Sequence, residues 1–196
     1  MTPVILASAS TARAALLAAA GVSFQAKAPR LDEEIAKRRL EAAGVSAGEL
    51  ALGLAEQKAL SLDAGDAVVI GADQTLSLDG DVAHKAGDLE AARQRLAALR
   101  GRPHQLHAAV VLARNGAIRW RHLATASLIM RWFSDAFLDD YLARYGGEAL
   151  GAVGCYRLED AGAQLFDSIE GDYFSILGLP LIPLLGALRR EAALLV

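Results

Sequence analysis

The pattern of apolar and polar residues predicts that strands and helices alternate from the start of the chain. The apolar run at residues 3–7 is too short for a helix and suits a buried strand. It leads through a short polar loop into a stretch rich in alanine and leucine, for which Ser10 is a suitable N-cap and Gly21 a suitable C-terminal residue. We therefore expect a strand, a short loop and a helix.

The middle of the chain continues this mixture. A charged helix is expected between residues 32 and 44, and a second helix over residues 47–62, where apolar residues recur at spacings of three and four. An apolar strand is expected over residues 67–78. The dipeptide Asp79-Gly80 directly after it is a good hairpin signal.

The strongest hairpin signal is Asn115-Gly116, and it lies between two long apolar segments, residues 104–114 and 117–130. Ser134 is expected to cap a helix that ends before Gly146. A strand near residues 163–169 and a last helix from Pro180 complete the expected elements.

This order of elements predicts an α/β fold with a mixed sheet rather than a purely parallel one. The length of 196 residues suits a single domain, which we expect to span residues 1–196. The hydrophobic fraction of 54% and the charged fraction of 22% are those of an ordinary globular protein, which excludes intrinsic disorder. The only cysteine, Cys155, cannot form an intrachain disulfide.

The charge pattern restricts the partners. The net charge of −3, with no long run of one sign, lacks the basic excess of a broad nucleic-acid surface, so no nucleic-acid partner is expected. The N-terminus has no positively charged region typical of a signal peptide. The most apolar stretch, residues 176–188, is interrupted by two prolines and is shorter than the roughly 20 residues of a membrane helix. We therefore expect a cytoplasmic protein without a membrane partner.

The first candidate site is the loop between the first strand and the first helix. Such a loop presents backbone N–H groups and the positive end of the helix dipole, which together favour phosphate binding. Ser8 and Ser10 add hydroxyl donors, and Arg13 lies in the first turn of the helix. The alternative is an ordinary serine N-cap beside a solvated arginine.

The second candidate is Asp73, which interrupts a strand that begins fully apolar. An acidic residue inside such a strand is costly to bury unless it binds a metal, accepts several hydrogen bonds or acts as a base. The alternative is a strand end where polar residues meet solvent.

Other charged residues matter only if the fold brings them together. Lys58 lies beside the apolar face of its helix, where a lysine usually extends its amine to solvent, and Lys85 follows the hairpin after Asp73. Residues 32–34 are consecutive acids that either ligate a divalent cation with phosphate oxygens or supply favourable charge at a helix N-terminus. Glu159 offers a carboxylate to the edge of a base. Walker-type, dinucleotide-binding, zinc and nucleophile-elbow motifs are absent from the sequence.

Taken in order, these segments resemble the Maf family of nucleotide pyrophosphatases, and the resemblance covers nearly the whole chain. Each matching segment is short, but the ordered set is specific. The matching segments are Leu6-Ala7-Ser8-Ala9-Ser10 with Arg13, Asp32-Glu33, Leu54-Ala55 through Lys58-Ala59, Ile70-Gly71-Ala72-Asp73, Lys85, Gly101 with His104, Glu170-Gly171-Asp172-Tyr173, and Gly178-Leu179-Pro180-Leu181.

The resemblance implies a Maf/ITPase-like α/β fold, in which a mixed twisted sheet with flanking helices forms two lobes around a central cleft. It also implies a homodimer, a divalent cation (Mg²⁺ or Mn²⁺) and hydrolysis of the α–β phosphoanhydride of a nucleoside triphosphate. By resemblance, Asp73 is the general base and holds the metal together with Glu33. The residues implied to surround the triphosphate are Ser8, Ser10, Arg13, Lys58 and Lys85.

Three positions bear on the choice of substrate. Family members that prefer dTTP and UTP carry Arg, Thr and Gln where this chain has Ala12, Gln74 and Glu159. Gln74 and Glu159 resemble the branch that acts on 7-methyl-GTP, while Ala12 replaces a bulky aromatic residue of that branch. We therefore expect Ala12, Gln74 and Glu159 to contact substrate and to favour modified purines.

Two alternative functions remain open from the sequence. One is a nucleotide-binding regulatory protein linked to cell division, in which catalysis is lost or incidental. The other is a phosphatase that releases orthophosphate. Tight binding of a triphosphate without cleavage would favour the first, and the identity of the released product separates the second from a pyrophosphatase.

Overall fold

A computed structural model describes residues 1–195 of the chain, so Val196, the last residue of the expected domain, lies outside the described residues. Its strands form one sheet. The strands are β1 (Val4–Ala7), β2 (Gln25–Lys27), β3 (Val68–Leu78), β4 (Asp81–Ala83), β5 (Pro103–Arg114), β6 (Ala117–Met130) and β7 (Phe166–Glu170). The helices are α1 (Thr11–Ala19), α2 (Glu33–Ala42), α3 (Ala47–Leu60), α4 (Leu89–Leu99), α5 (Asp135–Ala149), α6 (Tyr173–Ile176) and α7 (Leu181–Arg190).

The sheet is mixed, which confirms the predicted fold class. Its main order is β2-β1-β3-β5-β6-β7, with β4 paired to β3 off this path. The pairs that β1 forms with β2 and β3 are parallel, and the other pairs are antiparallel. Both predicted hairpins are present, with Asp79-Gly80 between β3 and β4 and Asn115-Gly116 between β5 and β6. These four residues have positive φ, which the tight turns require.

A gap in pairing along one side of β3 positions the functional site. The parallel pairing with β1 ends at Ala7 opposite Gly71, and the antiparallel pairing with β4 begins only at Leu76 opposite Ala83. Within residues 1–195, no strand pairs with positions 72–75 on that side. The loops that follow β1 and β4 therefore flank the same short, open stretch of β3.

One face of the sheet is covered by α3. Alanines on this helix, at positions 51, 55 and 59, pack against small side chains of β5. The backbone of α3 approaches β3 very closely at Gly71, where an added Cβ would lie 2.1 Å from the carbonyl oxygen of Ala55. Only glycine leaves room for this contact, and the contact fixes the last turns of α3 above β3.

The other face of the sheet carries two apolar clusters. The first cluster includes Leu6, Leu17, Ile70, Leu112 and Leu184 and packs under α1 and α7. The second cluster includes Leu76, Leu96, Leu106, Leu128 and Leu138 and packs under α4 and α5.

Both clusters use the same face of β3 and β5, because residues two apart in a strand face the same way. Between Ile70 and Leu76 this face carries Gln74, which lies opposite Ala108 of β5. The polar Gln74 therefore marks the boundary between the two clusters, in agreement with two lobes and a cleft.

Two sequence expectations need correction. The helix capped by Ser134 does not end before Gly146 but continues to Ala149, because Gly146 and Ala149 are buried against the rest of the protein. The strand expected near residues 163–169 begins only at Phe166, since residues 161–165 form a 3₁₀ turn. The short elements β2 and α6 were not predicted. None of the helices in the described chain is long and apolar enough to cross a membrane.

Candidate active site

A cavity of about 1280 Å³ opens at the pairing gap of β3 and extends between the two lobes. Residues from both lobes line it, and they include every residue that the sequence predicts for the site. These are Ser8, Ser10, Ala12, Arg13, Glu33, Lys58, Asp73, Gln74, Lys85 and Glu159. The roles assigned to them remain predictions, but the fold brings all of them to one cavity.

The centre of the site is an ion triad formed by Lys58, Asp73 and Glu33. The Nζ atom of Lys58 lies 2.6 Å from Oδ1 of Asp73 and 2.8 Å from Oε2 of Glu33. The side chain of Lys58 is only 6% exposed and that of Asp73 13%, whereas Glu33 is 52% exposed. The alternatives of a solvated lysine and a solvated strand end therefore do not apply, since Asp73 lies inside an eleven-residue strand.

The loop after β1 forms the next part of the wall. Ser10 caps α1 by accepting a hydrogen bond from the backbone N–H of Arg13, as the sequence predicts. The hydroxyl of Ser8 accepts from the backbone N–H of Ser10. The positive end of the α1 dipole is therefore directed towards the cavity, where it favours an anion.

Arg13 is held in place by backbone and side-chain acceptors. Its Nε donates to the carbonyl oxygen of Gly178 at 2.9 Å, and Nη1 donates to Oγ of Ser8 at 3.4 Å. Burial lowers the pKa of the Arg13 guanidinium, while the nearby charges of Asp73 and Glu33 oppose this shift. Arg13 is thus a half-buried, positioned cation in the wall of the same cavity.

Two further cations stand at the cavity wall. Lys85 follows β4 and is exposed, and Lys37 projects from α2. With Arg13 and Lys58, they place four cationic groups in the lining of one cavity. The lining also carries carboxylates, including Glu33, Glu34 and Asp73, so a polyphosphate would meet cations beside groups that can hold a metal.

The opposite end of the cavity is apolar with an acidic rim. Leu106, Tyr156 and Leu158 contribute apolar surface. Oε1 of Glu159 accepts from Nε of Arg157 at 3.0 Å, so the carboxylate is held in position rather than free in solvent. A planar base fits the chemistry of this end, and Ala12 adds only a methyl group to the wall.

The end of α6 and the turn after it, residues 175–178, were not predicted to belong to the site, although Gly178 begins a segment that matches the family. The backbone carbonyls of Ser175, Ile176 and Gly178 accept hydrogen bonds from Gln74 and Arg13. Backbone acceptors leave no residue-type signal, although the glycine at 178, with φ of +97°, marks an unusual turn. Arg157 and Lys37 were also missed, since single basic residues are usually solvated.

The donor set fits a hard divalent cation that takes most of its ligands from phosphate and water. Asp73 and Glu33 both contact the same nitrogen of Lys58, so their carboxylates converge on one point. Mg²⁺ is commonly held by one or two carboxylates together with substrate phosphates. Among residues 1–195 there is no cluster of three or more acidic, histidine or cysteine side chains for a metal site built from protein alone.

Comparison with known proteins agrees with this geometry. A family model described as Maf-like protein matches residues 3–191. A protein of Caulobacter vibrioides named nucleoside triphosphate pyrophosphatase is 53% identical over 100% of this chain and 99% of its own length. A protein of Rhizobium meliloti named 7-methyl-GTP pyrophosphatase is 50% identical over 97% of this chain and 96% of its own. With a family-model match across nearly its whole length and a relative 53% identical over all of it, the chain belongs to the Maf-like protein family.

Proposed function

We propose that this protein hydrolyses nucleoside triphosphates at the α–β phosphoanhydride, giving a nucleoside monophosphate and pyrophosphate. The observation that carries the proposal is the buried contact of 2.6 Å between Asp73 and Lys58 inside a cavity lined with cations. Two relatives, 53% and 50% identical to this chain, are named nucleoside triphosphate pyrophosphatase and 7-methyl-GTP pyrophosphatase. Their names support the same reaction for this protein.

In this proposal Asp73 is the general base. One oxygen of its carboxylate is fixed by Lys58, and the carboxylate accepts a proton from a water molecule as that water attacks phosphorus. A bond forms from the water oxygen to phosphorus, the bond to the bridging oxygen breaks, and pyrophosphate carries away the electron pair. Arg13 and Lys58 offset the negative charge on the phosphoryl oxygens, which is the main requirement of this chemistry.

We also propose a divalent cation, Mg²⁺ or Mn²⁺, as the cofactor. Asp73 and Glu33 would hold it together with phosphate oxygens. When bound, such a cation neutralises phosphate charge and orients the triphosphate. Glu33 is half exposed and belongs to the first turn of α2, so its side chain has room to rotate from Lys58 towards a bound ion.

The proposed substrates are modified purine nucleotides, with 7-methyl-GTP as the first candidate. Methylation at N7 makes the purine cationic, and Glu159 is a carboxylate at the end of the cavity where the base would lie. Ala12 also lines the cavity, and its methyl group occupies less of the cavity than a larger side chain would. The names of the relatives divide between general and 7-methyl-GTP activities, so other triphosphates belong in the same test.

The test is an assay of product release over a panel of standard and modified triphosphates with Mg²⁺ or Mn²⁺. The proposal expects pyrophosphate and the monophosphate, and fastest turnover with 7-methyl-GTP. Tight binding without cleavage would support the regulatory alternative. Release of orthophosphate would instead support the phosphatase alternative, and no turnover of any triphosphate would refute the proposal.

We propose that the enzyme is a homodimer, as the family resemblance implies. The charge pattern and the hydropathy of the sequence further favour an enzyme that acts in the cytoplasm on free nucleotides, without nucleic acid as a partner. Light scattering coupled to gel filtration measures the oligomeric state. A molar mass near the 20.6 kDa of one chain would refute the homodimer.

A further inference from the structure

We infer that Gln74 is a positioning residue: it holds the end of α6 and the turn after it (residues 175–178), which in turn orient Arg13 towards the polyphosphate. This differs from the role expected from the resemblance, in which Gln74 contacts the base. The inference rests on the proposed function, because it concerns the same cavity, and it assigns a different task to one of its residues.

The side chain of Gln74 points away from the side chain of Asp73. Asp73 and Gln74 are neighbours in β3, so their side chains point to opposite faces of the sheet. Asp73 points towards α3 and contacts Lys58. Gln74 points to the face that carries α6, where its amide meets the backbone of Ser175 and Ile176.

The amide nitrogen of Gln74 is engaged by the backbone of the protein. Its Nε2 donates to the carbonyl oxygens of Ser175 and Ile176, each at 3.0 Å. A side-chain amide has two N–H donors, so both are used within the protein. A base could meet only the amide oxygen, Oε1.

The segment that Gln74 holds is itself well defined. Oδ2 of Asp172 accepts from the backbone N–H and the hydroxyl of Ser175, at 2.7 and 2.6 Å, and so caps the short helix α6. The carbonyls at the end of a helix lack partners within it. The Gln74 amide donates to the carbonyl oxygen of Ile176 and so supplies its partner. The carbonyl oxygen of Ser175 also accepts from the backbone N–H of Gly178.

The segment ends at the acceptor of Arg13. Gly178 has φ of +97°, and this turn places its carbonyl oxygen 2.9 Å from Nε of Arg13. A Cβ added at Gly178 would lie 3.7 Å from both Arg13 Nε and Gln74 Oε1, so the three residues converge. With Nε engaged by Gly178 and Nη1 by Oγ of Ser8, the plane of the guanidinium is fixed in the wall of the cavity.

The two roles predict different effects of substitution. If Gln74 positions Arg13, its loss weakens binding of every polyphosphate by the same factor, whether or not a base is present. If Gln74 contacts the base, its loss changes the preference among bases and leaves binding of a base-free polyphosphate unchanged.

The experiment measures binding of inorganic tripolyphosphate by calorimetry, and KM for 7-methyl-GTP, GTP and dTTP. The test variant is Gln74→Met, which keeps the length of the side chain but loses both donors and adds no charge to the cavity. We expect tripolyphosphate to bind about tenfold more weakly, and the three KM values to rise by the same factor, because the hydrogen bonds to Ser175 and Ile176 are lost. Gln94→Ala on α4, whose side chain is exposed, is the control and should leave both unchanged.

Unchanged binding of tripolyphosphate, with altered ratios among the three KM values, would overturn the inference while leaving the proposed function intact. Failure of the wild-type protein to release pyrophosphate would instead refute the proposed function. If Gln74→Met does not fold, Gln74→Leu removes the same donors without adding charge.

A double-mutant cycle adds a second test. In an Arg13→Ala background there is no guanidinium to orient, so Gln74→Met should cause little further loss of tripolyphosphate binding. Additive losses would mean that Gln74 acts independently of Arg13, which contradicts the inference.

Discussion

At the scale of single residues, the burial of Lys58 decides how the site works. Lys58 lies between two carboxylates with only 6% of its side chain exposed, and the side chain of Asp73 is only 13% exposed. Loss of the Lys58 amine would leave the Asp73 carboxylate without its salt-bridge partner in a poorly solvated position. Removing one partner of such a pair is usually strongly destabilising. Lys58 therefore contributes both to the positive charge of the cavity and to the position of the proposed base.

Asp73→Asn separates binding from catalysis. The amide oxygen of asparagine can still accept from Lys58, so we expect the fold and nucleotide binding to persist while the base is lost. General bases commonly contribute 10²–10⁴-fold, so turnover should fall by at least about 100-fold. Steady-state assays together with calorimetry of nucleotide binding measure both quantities. Near wild-type turnover would remove Asp73 from its proposed role.

The buried histidine at position 104 predicts acid sensitivity. Its Nε2 lies 2.8 Å from the hydroxyl of Tyr156, and burial lowers its pKa to about 4 from the usual 6.5. Between these values the unfolded chain binds a proton that the folded chain does not, so stability falls as the pH decreases. The effect of His104 across this window is about 3 kcal/mol. Burial lowers the pKa of His107 too, which acts in the same direction.

Urea unfolding at pH 7 and pH 4.5 checks this prediction. We expect the free energy of unfolding of His104→Gln to decrease less over this interval than that of the wild-type protein. The control is His122→Gln, at a half-buried residue of β6. Its free energy of unfolding should decrease between pH 7 and pH 4.5 by as much as that of the wild-type protein. An equal decrease in all three proteins would contradict the assignment.

At the scale of elements, the contact of α3 with β3 positions the ion triad. Lys58 belongs to the helix and Asp73 to the strand, so their distance depends on how closely the two backbones approach. Gly71 permits that approach, since an added Cβ would lie 2.1 Å from Ala55 O and 2.6 Å from Ala59 N. These are backbone atoms, which cannot rotate away.

Gly71→Ala should therefore displace α3 and separate Lys58 from Asp73. We expect a loss of about 3 kcal/mol in the free energy of unfolding, as in severe overpacking, and a large loss of turnover. The control is Gly147→Ala in α5, where an added Cβ meets nothing within 4 Å. It should gain up to about 1 kcal/mol from helix propensity alone. Chemical denaturation and the pyrophosphate assay measure the two effects. A Gly71→Ala variant with wild-type stability and turnover would refute this account.

At the scale of the whole molecule, two apolar clusters share one continuous sheet. β3 contributes Ile70 to the first cluster and Leu76 to the second, while β5 contributes Leu112 and Leu106 respectively. Neither cluster can lose its strands without disrupting the other. The cleft between them is therefore built on a common, rigid support.

We expect both lobes to unfold in one cooperative transition. In Trp132→Phe the remaining tryptophan is Trp120, which packs on the first cluster. In Trp120→Phe the remaining tryptophan is Trp132, which lies near Arg100 in the second lobe. In each variant, the midpoint of urea unfolding by fluorescence should coincide with that by far-UV circular dichroism. A fluorescence midpoint that departs from the circular-dichroism midpoint in either variant would show that the lobes unfold separately.

Local sequence patterns determined most of the elements. The turn dipeptides Asp79-Gly80 and Asn115-Gly116 have few alternative conformations, and serine and aspartate caps satisfy the first N–H groups of several helices. Their signals act over a few residues and could be predicted. Gly146 misled the prediction, because its burial within α5 outweighs the helix-ending preference of glycine.

Resemblance identified the residues of the candidate site, but only the tertiary structure decided their arrangement. The pairing gap of β3, the contact at Gly71 and the carbonyls that hold Arg13 and Gln74 all join segments distant in the chain. Backbone acceptors leave no trace in residue type, and the burial of a lysine depends on what the fold packs around it. The sequence by itself therefore determined the elements and the groups available for chemistry, whereas long-range packing decided which of those groups meet.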